Sequence, residues 1–456
     1  MGLNRRHLLQ AGLALASLRA LPAGASSKRI IPWRNWSGAQ SCIPAARVAP
    51  ADEAAIADLI RQSHGTIRPV GSAHSFSGLV PTTGTILSAS RLSGLIDIDA
   101  ENGEARFHGG TPMSLMGEPL RAAGRALSNM ADVDYQTLAG ALATSTHGTG
   151  TGYGSYSTLV RGLRLIDGRG NIIDCDPQTH PALFSAARVS LGALGIVSQV
   201  RMDTVPAFNL HEILELRKTE ELLEDLPRLL AENQRWEMQV ITHSDYALSI
   251  CLNDTQEPPT YTGPEEDDGS AAYVHAMDKV DQYLGDFRGF QRMVLNLVAR
   301  TADFEPRIGP SHEIFANVRN VRFNEMEYSV PAEAGPACLR EILHRIRERD
   351  LPTWFPIEYR YVAADDIPLS MFQGRASCAI SIHQHYRLDH HNFFAAVEPI
   401  FWKYGGRPHW GKLHSLGAAQ LRPLYPQFDD FMAAREALDP DGRFLNAHLR
   451  RVLGTD

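Results

Sequence analysis

The stretch "LAGALATSTHGTGTGYGSYST", residues 138–158, is the run densest in Gly, Ser and Thr, with glycines at 140, 148, 150, 152 and 154. Residues this small let main-chain N–H groups come close to an anion, and Thr144, Ser145 and Thr146 add hydroxyl donors. The dinucleotide fingerprint of a Rossmann fold needs G-x-G-x-x-G leading from a strand into a helix. Counted from Gly148 or Gly150, its last glycine falls on Tyr153 or Ser155, and no strongly helical run follows. The spacing therefore excludes the Rossmann loop and keeps the phosphate-suited chemistry. Two more stretches of this kind, "GSAHSFSG" (71–78) and "GALGIV" (192–197), lie in the same half of the chain. Three such loops in one region point to convergence on one extended ligand carrying a diphosphate.

Outward from these loops the chain reads as an ordinary globular protein of 456 residues, 44% hydrophobic and 21% charged, long enough for two to three domains. "PADEAAIADLIRQ" (50–62) predicts a helix with Asp52 and Glu53 at its positive end. "TILSASRLSGLIDIDAENGEARFHGG" predicts strands turning at "ENGE", and "LVRGLRLIDGRGNIIDCD" a hairpin around "DGRGN". Beyond about residue 206 the character changes. Residues 218–233 predict one amphipathic helix, and "RWEMQVITHS", "VRFNEMEYSVP" and "WFPIEYRYVAAD" predict longer strands, together a second α+β unit.

Residues 1–25 have a basic start, an apolar run too short to span a bilayer, and "AGA" before Ser26, which predicts an export signal. Arg5-Arg6 makes it the twin-arginine kind, whose cargo leaves the cytoplasm folded, so the expected location is periplasmic or exported. The formal net charge is −8, and losing Arg5, Arg6 and Arg19 with that segment makes it more negative. An acidic chain is a poor candidate for nucleic acid or an anionic membrane. The acidic run "GPEEDDGS" (263–270) reads as a solvated loop. The five cysteines contain no CxxC, which argues against zinc ribbons and redox dithiols, and their wide spacing names no disulfide.

Glu358 and Arg360 in "PIEYRYV" share one face of a strand; by themselves they suit a surface ion pair or a polar site. Lys412 sits in "HWGKLH" between Trp410, Gly411 and two histidines, unlike a routine solvated lysine. His383 and His385 in "HQH" also share a face, yet no third ligand stands at metal-binding spacing, so core or substrate-pocket packing is expected and metal is not.

"RPVGSAHSFSGLVPTTG", "QTLAGALATSTHGTGTGYG" and "SLGALGIVSQV" resemble the vanillyl-alcohol-oxidase-type (PCMH-type) FAD-binding domain. "FNEMEYSVP", "FPIEYRYV", "HWGKLH" and "YPQFDDFMAAREALDPDGRFLNAHL" resemble the domain of the sugar-lactone and alditol oxidases. The likeness runs in family order over about 32–453. It implies an α+β protein with FAD-binding domain 32–206, a cap over the flavin ring at 207–415, and a C-terminal return at 416–456. It implies FAD held through Gly71, Ser72, Ala73, Ser75 and Phe76; through Thr137, Gly140, Thr144, Ser145, His147, Gly148 and Gly150; and through Gly195, Ile196 and Val197. His74 takes the place of the family's flavin-linked histidine, in "GSAHS" where "GSGHS" is usual. Glu358, Arg360 and Lys412 take the catalytic places, and Thr137 and His414 substrate places. The implied activity is oxidation of a hydroxyl on an aldonolactone or alditol, with electrons passed to O2 to give hydrogen peroxide, or to a quinone or cytochrome in a dehydrogenase. A non-catalytic sugar-binding export protein is the alternative from another class.

Overall fold

The computed structural model describes residues 31–260, 270–284, 287–302, 304–317, 320–353 and 355–455. The leader and most of the acidic run lie outside the described residues.

The first unit holds two main sheets and two short two-stranded pairs. Strands β1 (Ala46–Val48), β2 (Ile67–Val70) and β3 (Thr85–Ser88) form a parallel sheet in the order β1-β3-β2. Between β1 and β2 runs α1 (Glu53–Gln62), whose N-cap Asp52 accepts from the Ala55 N–H and whose Ile56, Ala57 and Ile60 are buried, as the sequence pattern predicts. Strands β4 (Leu95–Asp99), β5 (Glu104–His108), β6 (Val160–Ile166), β7 (Ile172–Cys175) and β8 (Ile196–Asp203) form an antiparallel sheet in the order β7-β6-β8-β5-β4. Its two hairpins are the ones that "ENGE" and "DGRGN" predict. Helix α2 (Leu138–Ala143) is short, and α3 (Pro181–Ala187) precedes the third small-residue loop.

The second unit is one antiparallel sheet of eight strands: β9 (Asn209–Lys218), β10 (Arg235–Val240), β11 (Tyr246–Thr255), β12 (Arg307–Pro310), β13 (Phe323–Pro331), β14 (Ile357–Val362), β15 (Ser377–His385) and β16 (Arg407–Pro408). Their order is β12-β9-β11-β10-β14-β15-β13-β16. The single helix expected over 218–233 is two, α4 (Thr219–Glu224) and α5 (Leu226–Glu232). Pro227 stands at the start of the second, where its missing N–H and its ring stop the first helix from continuing. Helices α6 (Ser270–Leu284) and α7 (Arg288–Thr301) follow β11. Helices α8 (Gly335–Glu348) and α9 (His390–Lys403) cover one face of the sheet. On that face Tyr328 stacks on Phe401 of α9 at 4.8 Å and donates to Glu398 at 2.6 Å. Strand alternation sends the intervening residues to the opposite face.

The chain then returns to the first unit. Helix α10 (Phe428–Leu438) packs on α3, and Asn446, N-cap of α11 (Ala447–Leu453), donates to the carbonyls of Gly78, Leu79 and Pro81. Arg68 gathers the loops. Its buried guanidinium donates to Leu79 O at 2.7 Å, Gly192 O at 2.8 Å and Leu191 O at 3.0 Å, and also to Phe444 O. With carbonyl partners in place of a carboxylate, burial lowers its pKa to about 9.

Candidate active site

A cavity of ≈ 380 Å³ opens where the small-residue loops meet. Gly71, Ser72, Ala73, His74, Ser75 and Phe76 line it, with Thr137, Gly140 and Thr144 from the second stretch and Gly195, Ile196 and Val197 from the third. Ser88–Ser90, Gly109–Gly110 and Ser190–Gly192 line it too, and of these only Ser190–Gly192 fall in a stretch that resembles the FAD-binding domain. Half of the lining residues are Gly, Ala or Ser, so main-chain groups front much of the space, as a flavin dinucleotide's phosphates and ribose require. Gly71 shows how tight the approach is: a Cβ there would lie 2.1 Å from Thr137 Oγ1. Gly71→Ala is expected to give soluble protein with flavin occupancy reduced at least tenfold, measured from the ratio of flavin to protein absorbance.

Ser145, His147, Gly148 and Gly150, expected on the cofactor, lie outside that lining. The second half of the Gly run welds the first unit to the cap sheet. Gly150, at φ +124°, donates to Tyr361 O at 2.7 Å and bridges to Val362 of β14. Ser145 meets Ser370 at 3.2 Å, and His147 Nε2 meets Glu327 at 2.7 Å. The glycines serve close chain approach there, a need the sequence cannot tell apart from phosphate binding.

The His74 loop is fastened to the Lys412 segment: Phe76 N donates to Gly411 O at 2.7 Å, and Ser77 Oγ to Trp410 O at 2.7 Å. The His74 ring lies 4.9 Å from Trp36. Burial, then the nearby Lys412 charge, lowers its pKa to about 4, so it is a neutral imidazole at pH 7. Ala73 adopts φ +60°, the left-handed conformation, which explains the family's glycine here. An L-residue tolerates it at a cost of about 1–2 kcal/mol, and Ala73 packs on the Trp33, Val80 and Ile86 cluster.

Beside the His74 end of the cavity, the free face of the cap sheet carries a buried charged array. Arg360 Nη1 meets Glu358 Oε2 at 2.7 Å, so the shared strand face predicted from sequence holds. Arg360 also donates to Glu237 at 2.8 Å and 3.3 Å, and meets Asp132 of the first unit at 3.3 Å. Burial opposes its charge, but Glu237, Glu358 and Asp132 keep it protonated. Burial outweighs Arg360 at Glu358 and raises that carboxyl's pKa above the usual value. Across the strand pairs, Ser381 stands opposite both Glu358 and Glu327, and His383 opposite Glu325. Lys412 Nζ pairs with Glu325 and lies 5.1 Å from the Phe76 ring centroid. Burial opposes the Lys412 charge, yet Glu325 and Glu327 hold its pKa above normal, while Lys412 and His383 pull Glu325 down to about 2. His383 Nδ1 lies 3.1 Å from Pro356 O, and Nε2 3.5 Å from Glu325.

Glu325, Glu358 and His383 stand close enough to ligate one ion, but Lys412 and Arg360 already pair with the two carboxylates. His385 lies apart, against Phe355 at 6.3 Å. His414 does not line the cavity; it packs behind it, 6.2 Å from Trp410 and 6.2 Å from His448. Asp132, Glu237, Glu325, Glu327 and Arg68 are the site residues that sequence reasoning missed. A signal existed for Glu325 and Glu327, which alternate onto one face of β13.

Residues 200–452 match the D-arabinono-1,4-lactone oxidase family, and 44–176 match an FAD binding domain. The chain is 37% identical to L-gulono-1,4-lactone dehydrogenase of Mycobacterium tuberculosis, over 92% of this chain and 99% of that protein. It is 28% identical to the L-gulonolactone oxidase of Bos taurus, over 92% and 98%. Among solved structures, a His121Ala mutant of cholesterol oxidase from Brevibacterium sterolicum superposes with a TM-score of 0.74 at 16% identity, over 95% of this chain and 99% of that one. Cavity, charged array and kinship agree, and the chain belongs to the sugar-lactone oxidase family, FAD-dependent oxidoreductases with a PCMH-type flavin domain and an α+β cap.

Proposed function

We propose that the protein oxidises a secondary or primary hydroxyl of a sugar-derived aldonolactone or alditol, passing the electrons to O2 to give hydrogen peroxide. The observation that carries this reading is the buried Glu358–Arg360 pair next to the cavity that ends at His74 and Lys412. FAD, held by the loops of that cavity, supplies the two-electron acceptor for the hydrogen on the substrate's carbinol carbon. Arg360, fixed by Glu237 and Asp132, donates hydrogen bonds to the substrate's oxygens and sets its orientation. Glu358 takes the hydroxyl proton, and its raised pKa brings it closer to the working pH. Lys412 places a fixed positive charge beside the His74 end, where negative charge develops. Trp36, Phe76, Phe323 and Phe355 wall that end with apolar rings and keep water out. Overall, the carbinol gives up its C–H and O–H hydrogens with two electrons and becomes a carbonyl, and O2 takes both up and becomes hydrogen peroxide.

His74, neutral and lining the cavity, is the proposed covalent tether of the flavin. Acid-precipitated wild-type protein is expected to stay yellow, whereas His74→Ala releases its flavin to the supernatant. Colour in the wild-type supernatant would remove the tether from the proposal. The leader fits export of the folded, flavin-loaded protein to the periplasm.

A second reading, a dehydrogenase using a quinone or cytochrome, is favoured by the dehydrogenase name of the Mycobacterium relative. Mixing lactone-reduced enzyme with air-saturated buffer in a stopped-flow instrument separates the two. Reoxidation fast enough to support turnover is the result expected of the oxidase, and reoxidation slower than turnover with a dye acceptor would overturn it.

A further inference from the structure

His409 lines the cavity beside Gly411 and Lys412, and it has no part in the steps assigned to Glu358, Arg360 and Lys412. It follows β16 in "PHWGK", where the chain is held on both sides. The His409 N–H donates to Glu327 O of β13 at 3.0 Å, and the Lys412 N–H donates to His409 O at 2.9 Å. Next to it the fully buried Trp410 donates its indole N–H to Leu369 O at 2.6 Å. The Gly411 N–H reaches back to the imidazole itself, 3.0 Å from Nδ1. A main-chain N–H can only donate, so Nδ1 is an acceptor and carries no proton. Burial, opposed by Glu327 and Glu325 and helped by Lys412 and His147, lowers the His409 pKa to about 4, so the ring is neutral at pH 7. A neutral ring with a bare Nδ1 holds its proton on Nε2.

That Nε2–H makes no hydrogen bond among the described residues. The neighbouring imidazole, His147, lies 6.1 Å away between ring centroids and gives its own Nε2 to Glu327 at 2.7 Å. Nor is His409 Nε2 sealed in the interior without a partner, as His448 Nε2 is. What remains within its reach is the cavity that the ring lines. A donor fixed in one tautomer and left unmade is costly, so its place there implies an acceptor in the bound state.

The rest of the lining says which acceptor. No Asp or Glu lines the cavity, and its cationic residues are Arg68 and Lys412. The Arg68 guanidinium is spent on four main-chain carbonyls. Lys412 and His409 therefore put two donors at one end, with the partner carboxylate Glu325 outside the lining. Both donors sit on the segment fastened to the His74 loop through Gly411 O and Trp410 O. Glu358 and Arg360, which face the substrate, do not line this cavity. A flavin ring presents carbonyl oxygens along its pyrimidine edge, and that edge takes up negative charge when the ring accepts two electrons.

The geometry points to His409 as a second donor to the cofactor: its Nε2–H hydrogen-bonds the carbonyl edge of the flavin ring and, with Lys412, stabilises the reduced, anionic ring. His409 gives up no proton in this role. The inference rests on FAD occupying this cavity with its ring at the Lys412 end.

The test reads the flavin of the holoprotein without substrate. Sulfite adds reversibly to oxidised flavin and leaves negative charge on the ring, so its Kd reports what stabilises that charge. H409N keeps an amide oxygen to accept from the Gly411 N–H but has nothing at the Nε2 position, whereas H409Q places an amide N–H there. H409N is expected to bind sulfite about tenfold more weakly and to lower the flavin midpoint potential by about 30 mV, the same factor for a two-electron couple. H409Q should recover most of both, and each variant should keep the wild-type ratio of flavin to protein. Unchanged sulfite affinity and potential in H409N would overturn the proposal. Equal losses in the two variants would do so as well, since they mark a packing role, and a full loss in H409Q is sufficient by itself. A change confined to substrate KM would assign the donor to the substrate and overturn the contact with the flavin. Wild-type protein without flavin would instead remove the functional reading, and this proposal with it.

Discussion

Glu358→Gln lowers kcat by about 10²–10⁴-fold at pH 7, the range that a positioned general base supplies, while the protein stays yellow and folded. Glutamine keeps the shape but cannot take the substrate's proton. The fold survives because Arg360 retains Glu237 and Asp132. The sign of the stability effect separates this role from a structural one. Burial raises the Glu358 pKa in the folded protein, so the folded state favours its protonated form, and the stability it contributes is present at low pH and lost as pH rises through the folded pKa. At neutral pH a neutral glutamine is expected to leave the melting temperature unchanged or slightly higher. The acid limb of wild-type kcat/KM, where protonation removes the base, should vanish in the variant. Turnover within a few-fold of wild type would remove Glu358 from the mechanism.

What the sequence revealed and what it hid follow from the range of the interactions. Glu358 and Arg360 were legible because two residues apart on a strand is a local rule. The three loops were legible by composition, though composition could not divide glycines that face a phosphate from glycines such as Gly150 that admit a neighbouring strand. The partners that fix Arg360 were hidden: Glu237 stands 123 residues away on β10, and Asp132 belongs to the other unit. Only the strand order, with β14 between β10 and β15, brings them together. Arg68 was hidden for a related reason, since its partners are carbonyls, which every residue has.

Arg360→Met has the largest expected effect on stability. Arg360 meets Glu358, Glu237 and Asp132, and removing it leaves three carboxylates in one buried site. Breaking a buried ion pair by deleting one partner costs about 3–5 kcal/mol, and in a chain of this size that corresponds to a fall in melting temperature on the order of 5 °C. Activity should be lost as well, since nothing else on β14 can orient the substrate. Arg360→Lys keeps the charge but cannot span three partners, so it should restore part of the stability and little turnover. The pH dependence gives an independent check. Without the guanidinium, the carboxylates' folded pKa values rise above their unfolded ones, so the variant should regain stability relative to wild type as pH falls toward 5. The double variant E358Q/R360M has one carboxylate fewer to compensate and should melt above R360M alone while remaining inactive. Additive losses in that cycle would mean that Glu358 and Arg360 act separately.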